Sequence, residues 1–123
     1  MLINSYQDLI VWQRAMVLAK DVYQLTRCFP KEEMFGLTSQ VRRSSVSIAA
    51  NIAEGWGRQS KGDYIHFLKV AQGSATELET EVILSSDIGF LPVENSEVLL
   101  KSLTEIRKML LSLIRSLQAS DQL

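Results

Sequence analysis

Apolar side chains recur three and four residues apart along nearly the whole chain, and β-branched runs alternating with period two are missing. Breaks at Phe29-Pro30, at Gly55 and Gly57, and over Gly89 to Pro92 divide this pattern into four segments, each predicted as a helix. The first runs over 6–28 and starts at Ser5 with Asp8, a capping-box spacing. It carries two adjacent apolar stripes, Leu9, Trp12, Met16, Ala19 and Tyr23 beside Val11, Ala15, Leu18, Val22 and Leu25. A surface helix needs about one stripe, so two place this helix either centrally in a bundle or with Val11, Ala15, Leu18 and Val22 against another copy of the chain.

The second helix opens with Glu32 and Glu33, which suit the positive end of a helix dipole, and closes at Gly55 and Gly57. Its apolar line, Leu37, Val41, Ser45, Ile48 and Ile52, is flanked by small residues that allow a neighbouring backbone to come close, so it is expected innermost. The third covers 61–88, capped by Ser60 with Asp63, with a core stripe of Tyr64, Leu68, Ala71, Ala75, Leu78 and Val82. The fourth covers 94–117 with a heptad seam of Leu99, Leu103, Ile106, Leu110, Leu113 and Leu117. Four such rods with short connections predict an all-α fold, an up-down-up-down antiparallel four-helix bundle filling residues 1–123 as one domain.

Charge changes this picture only in its distribution. The net charge is −1, but residues 1–62 hold eight Lys/Arg against five Asp/Glu and residues 63–123 hold five against nine. A folded surface could therefore have a basic and an acidic side, while the balance argues against a sequence-independent grip on nucleic acid by the whole particle. The lone Cys28, the N-terminus without a secretory pattern and the lack of any apolar run of about 20 residues predict a cytoplasmic protein outside the membrane.

No catalytic constellation is visible. His66 and Cys28 lie on different predicted helices, and the single Asp63-Tyr-Ile-His66 falls short of the repeated Glu-x-x-His that a di-iron bundle needs. No metal, no cofactor and no enzymatic activity are expected. Arg43, Ser47, Asn51, Glu54 and Arg58 share one side of the second helix. Two readings of this side stand. In one, Arg14, Arg42, Arg43, Arg58 and Lys61 contact a phosphate backbone with Trp56 and Tyr64 as stacking platforms. In the other, Arg43, Asn51, Glu54 and Glu79 form a polar network fixing helix register, and the protein is a protein–protein scaffold. Glu79, on the margin of the core stripe, is expected to pair with Arg42 or Arg43, whereas Glu77 and Glu81 are expected to face away from the core.

The motifs Asp8-Leu-Ile-Val-Trp12-Gln-Arg-Ala-Met16, Phe35-Gly-Leu, Gln40-Val-Arg42-Arg43, Ile48-Ala-Ala-Asn51-Ile-Ala-Glu54-Gly55, Arg58, Tyr64 with Phe67-Leu68, and Gly73-Ser74 with Glu77-Leu-Glu79-Thr80 resemble the four-helix-bundle family named after proteins encoded in 23S rRNA intervening sequences. The resemblance spans about 5–117. It departs at Ser44-Ser45, where alanines are usual. It implies a four-helix bundle that self-associates, as a pentamer in some members, and a likeness to the accessory variability proteins of diversity-generating retroelements. From that likeness follow the implied partners: RNA or DNA, and a reverse transcriptase or ribosome-associated protein.

Overall fold

The computed structural model describes residues 3–120. Four α-helices form the body: α1 (Ile10–Leu25), α2 (Leu37–Trp56), α3 (Lys61–Asp87) and α4 (Val93–Ala119). Three short 3-10 turns, Tyr6–Asp8, Thr26–Cys28 and Lys31–Glu33, flank α1 and lead into α2.

The expected caps act, but not all where the sequence suggested. Ser60 Oγ accepts from the Asp63 backbone N–H at 3.0 Å and starts α3 as predicted. Ser5 caps the turn Tyr6–Asp8 instead of a long helix; Leu9 is extended, and α1 begins only at Ile10. Glu32 and Glu33 fall in a separate turn, and α2 starts five residues later. There Glu33 Oε1 accepts from the Leu37 N–H at 3.0 Å, and a Cβ on Gly36 would lie 2.9 Å from that oxygen. Glycine therefore lets the Glu33 carboxylate fold back onto the first turn of α2. At the end of α3, Gly89 supplies the positive φ of 86° that turns the chain towards α4.

Neighbouring helices run antiparallel. Ser44 meets Glu77 and Ser47 meets Ser74, so three residues along α2 match three residues back along α3. Gln72 reaches the Arg107 carbonyl and Ser96 reaches Ser86 between α3 and α4, and Arg14 pairs with Glu105 between α1 and α4. The side chains of Leu18, Ile48, Ile52, Leu68, Leu78, Leu103, Ile106 and Leu110 are fully buried in one core. The α1–α2 and α3–α4 connections meet at one end, where the Phe29 and Phe90 rings lie 5.7 Å apart.

Packing corrects two sequence readings. Val11, Ala15, Leu18 and Val22 are buried inside the protomer, so they supply the core and not a surface for another copy. The α4 seam keeps Leu99, Leu103, Ile106 and Leu110 but passes to Ile114, leaving Leu113 and Leu117 half-buried. A straight helix drifts about 20° per heptad from a strict seven-residue repeat, which moves the buried line one position along.

α2 and α3 approach each other closely. A Cβ on Gly55 would stand 2.9 Å from Phe67 Cβ and 3.2 Å from the Tyr64 carbonyl oxygen. Ser44 and Ser45 are buried in the same helix. Small side chains on α2 thus set the short approach that the sequence predicted for it.

Candidate nucleic-acid interface

The predicted basic contacts do not form one strip. Arg14 is tied to Glu105 at 2.8 Å and Arg58 to Glu54 at 2.9 Å, both pairs half-exposed. The Arg58 guanidinium also lies 4.7 Å over the Phe67 ring. Lys61 stands at the start of α3 and donates to Ser120 Oγ near the end of α4 at 2.6 Å. The expected stacking platforms face each other: Trp56 and Tyr64 are edge-to-face with centroids 6.2 Å apart, and both are partly buried. Burial raises the Tyr64 hydroxyl above its ordinary pKa.

The predicted polar network also separates into pieces. Glu79 pairs with Arg107 of α4 at 3.1 Å, not with Arg42 or Arg43. The two arginines of α2 point elsewhere because α4, not α2, borders that side of α3. Asn51 Nδ2 donates to the Ser47 carbonyl and hydroxyl, and the Ser47 hydroxyl bonds to Ser74 at 2.8 Å. Among the described residues Arg43 makes only one hydrogen bond from its side chain, donating to Ser39 Oγ at 3.3 Å. The carboxylate that the core does cover is Glu81, 8% exposed, which the sequence placed outside. Its Oε1 is buried without a hydrogen-bond partner among the described residues. Burial pushes its carboxyl above the ordinary range and the nearby Glu77 adds to this, while Ser44 works the other way. The Ser44 hydroxyl itself donates to Glu77 Oε1 at 2.7 Å, which leaves Glu81 the poorer served of the two.

Arg42 does meet an exposed aromatic, and Arg43 lines the same groove, at the opposite end of α2 from Arg58. The Arg42 guanidinium sits 4.8 Å over the Tyr23 ring of α1. Its Nε donates to Thr26 Oγ1 at 2.8 Å, and Thr26 is anchored in turn on the Val22 carbonyl at 2.7 Å. Beyond it opens a groove of about 570 Å³ with Tyr23, Phe35, Arg42, Arg43 and Val46 on its walls, and none of its lining residues is acidic. Among the described residues no carboxylate pairs with Arg42 or Arg43. Phe35, thrown outward just before the Gly36 cap, is 96% exposed. On the other side of Tyr23 a shallower hollow is bordered by Lys20 and Arg27. The signal in the sequence was the Phe35-Gly-Leu motif, which the reading of charges alone passed over.

Among the described residues the histidine and cysteine considered for nucleophilic chemistry stay apart. Cys28 and His66 are both exposed, at opposite ends of the bundle, and His66 packs edge-on to Phe67. Among the described residues no group of three or more His, Cys, Asp or Glu is placed to hold a metal ion. No described helix is long and apolar enough to cross a membrane.

An all-α bundle whose concavities are open surface grooves between helices is the class that these features define. The chain belongs to the 23S rRNA-intervening sequence protein family, whose pattern matches residues 7–112. It is similar to a crystal structure from Bacteroides thetaiotaomicron, described as a protein of unknown function from the S23 ribosomal protein family. The two are 30% identical with a TM-score of 0.80, over 85% of this chain and 98% of that one. No curated protein matches the sequence.

Proposed function

We propose that the protein is a non-enzymatic, self-associating accessory protein that binds nucleic acid through the α1–α2 groove. The observation that carries this reading is the acid-free wall of Arg42 and Arg43 beside the exposed Phe35. Cations lining a groove with aromatic rings are what a phosphate backbone with bases requires. Arg42 and Arg43 are the contacts; Arg14 and Arg58, neutralised by carboxylates, and Lys61, at the far end, contribute little. Lys20 and Arg27 extend the basic surface past Tyr23. A reverse transcriptase or a ribosome-associated protein is the partner class that would use such a complex.

Self-association is supported by the α1–α4 seam. Ile10, Val17 and Val98 are 60%, 57% and 64% exposed. Ile10 borders an open groove of about 840 Å³ with Met109 and Leu113, and Val98 borders a smaller one with Leu25. Unpartnered aliphatic side chains of this kind gather at interfaces.

The test is binding of a labelled single-stranded RNA followed by fluorescence anisotropy across a salt series. Affinity should fall steeply with salt, and Arg43→Glu should weaken it at every salt concentration. Absence of binding at ~50 mM salt, or binding indifferent to salt, removes the reading. A second reading, a protein–protein scaffold without nucleic acid, is favoured by the Arg14–Glu105 and Arg58–Glu54 pairs, which consume two of the expected phosphate contacts.

A further inference from the structure

We infer that Phe35 is a base-stacking platform, so that the α1–α2 groove takes single-stranded nucleic acid with an unpaired base laid on the Phe35 ring and the flanking phosphates on Arg42 and Arg43. This rests on the nucleic-acid reading of the same groove and narrows it to a strand type and a contact.

The argument starts from how the rings are used. Tyr23 already has a guanidinium over its face, 4.8 Å from the centroid, so that face is taken. Trp56 and Tyr64 are spent on each other, Phe29 on Phe90, and Tyr6 on Trp12. Phe35 is the exception, with nearly its entire surface in water. A phenylalanine ring gains nothing from water, and the local backbone presents it outward all the same. The Gly36 backbone and the Glu33 cap fix the chain on its C-terminal side, and the turn Lys31–Glu33 fixes the other.

The groove beneath the ring is chemically one-sided. Arg43 is exposed, and among the described residues its side chain is held by a single 3.3 Å hydrogen bond to a serine hydroxyl, a tie weak enough for it to turn to a phosphate. Arg42 is fixed by Thr26 and Tyr23 and offers its charge in a set position. Positive charge without a lining carboxylate selects a polyanion, and a protruding aromatic selects one whose bases have free faces. In a duplex those faces are already stacked, so only a single strand can supply one. Stacking on a bare ring reads no base edge, so the preference for sequence should be weak.

The experiment compares strands of about 12 nucleotides, single-stranded RNA, single-stranded DNA, an RNA duplex and an abasic single strand, on wild type, Phe35→Ala, Phe35→Trp and Arg43→Glu. Phe35 is so exposed that its replacement leaves the core untouched, and circular dichroism checks this. Either single strand should bind wild type about tenfold more tightly than the duplex, and Phe35→Ala should erase about that factor. Phe35→Trp should keep the preference, and the abasic strand should not distinguish wild type from Phe35→Ala. Arg43→Glu should weaken every strand alike. If single strand and duplex bind equally and Phe35→Ala is silent, the stacking inference is overturned while the nucleic-acid reading survives. If no strand binds wild type at all, both fall. A Phe35→Ala variant that binds RNA normally but shows a smaller particle mass assigns the ring to a second copy of the chain and likewise overturns the inference.

Discussion

The Arg42 guanidinium joins α2 to the end of α1 by two different forces at once, stacking over the Tyr23 ring at 4.8 Å and donating from Nε to Thr26 Oγ1 at 2.8 Å. The contact fixes the α1–α2 corner from which the basic groove opens. It also leaves Arg42 only partly exposed, unlike Arg43 one residue on.

Replacing Arg42 should therefore loosen that corner. A cation–π contact is worth about 0.5–2 kcal/mol and a side-chain hydrogen bond about 1 kcal/mol, so Arg42→Ala should cost roughly 1.5–3 kcal/mol in urea unfolding. Arg42→Lys keeps the charge but loses the planar fork and should fall between wild type and alanine. An Arg42→Ala protein with an unchanged urea midpoint would show that the corner is held by other contacts.

The glycines of α2 and α3 should respond in opposite directions. Gly55→Ala drives a Cβ to 2.9 Å from Phe67 Cβ and 3.2 Å from the Tyr64 backbone oxygen, which cannot yield without separating α2 from α3. A loss of about 1–3 kcal/mol is expected. Gly73→Ala meets nothing within 4 Å in the middle of α3 and should gain up to about 1 kcal/mol from helix propensity. Thermal melts of the two variants against wild type check the pair, and melting shifts of the same sign would contradict the packing described.

The buried Glu81 carboxyl predicts a pH dependence with a definite sign. Burial holds its pKa above the ordinary value of 4.5, so over that window the native state keeps a proton that the unfolded chain releases. Its contribution to stability is complete below the unfolded value and declines as pH rises through the raised one. Glu81→Gln, which cannot ionise, should remove this decline. Urea midpoints from about pH 4 to about pH 8 should show the variant overtaking wild type as pH rises, and a gap that stays constant would exclude the effect.

The α1–α4 seam predicts the outcome for assembly. At micromolar concentration, light scattering should give a mass above the 13.9 kDa of one chain. Ile10→Asp combined with Val17→Asp should shift it towards the single-chain value, since both side chains are exposed and neither supports the core. A wild-type protein already at the single-chain mass rejects self-association by any surface.

Much of the architecture was legible because periodicity and helix stops are local. Ser60, Gly89 and Pro92 mark ends that the structure keeps, and Leu68, Leu78, Leu103 and Ile106 fall where three-and-four spacing put them. What periodicity does not give is the direction in which each stripe faces. Both stripes of α1 looked alike, yet Val11, Ala15, Leu18 and Val22 are interior while Tyr23, on the other stripe, is exposed. The misplaced burial of Glu81 and the wrong arginine partner for Glu79, which does lie on the margin of the core, have the same origin. Which neighbour covers a marginal position depends on where α2 and α4 sit around α3, and that is a property of the assembled bundle. The groove was half legible: Arg42 and Arg43 were singled out, but Tyr23 and Phe35, which line it with them, come from another helix and a turn.

The pinning of Arg42 bears on the entropy of recognition. A long cationic side chain ordinarily surrenders its rotamers when a ligand arrives, at about 0.5–1.5 kcal/mol for each one immobilised. Here Thr26 and Tyr23 have frozen it beforehand, within the fold itself. In the binding mode proposed above, an incoming anion would find Arg42 already set and would have to organise little beyond the exposed Arg43 beside it.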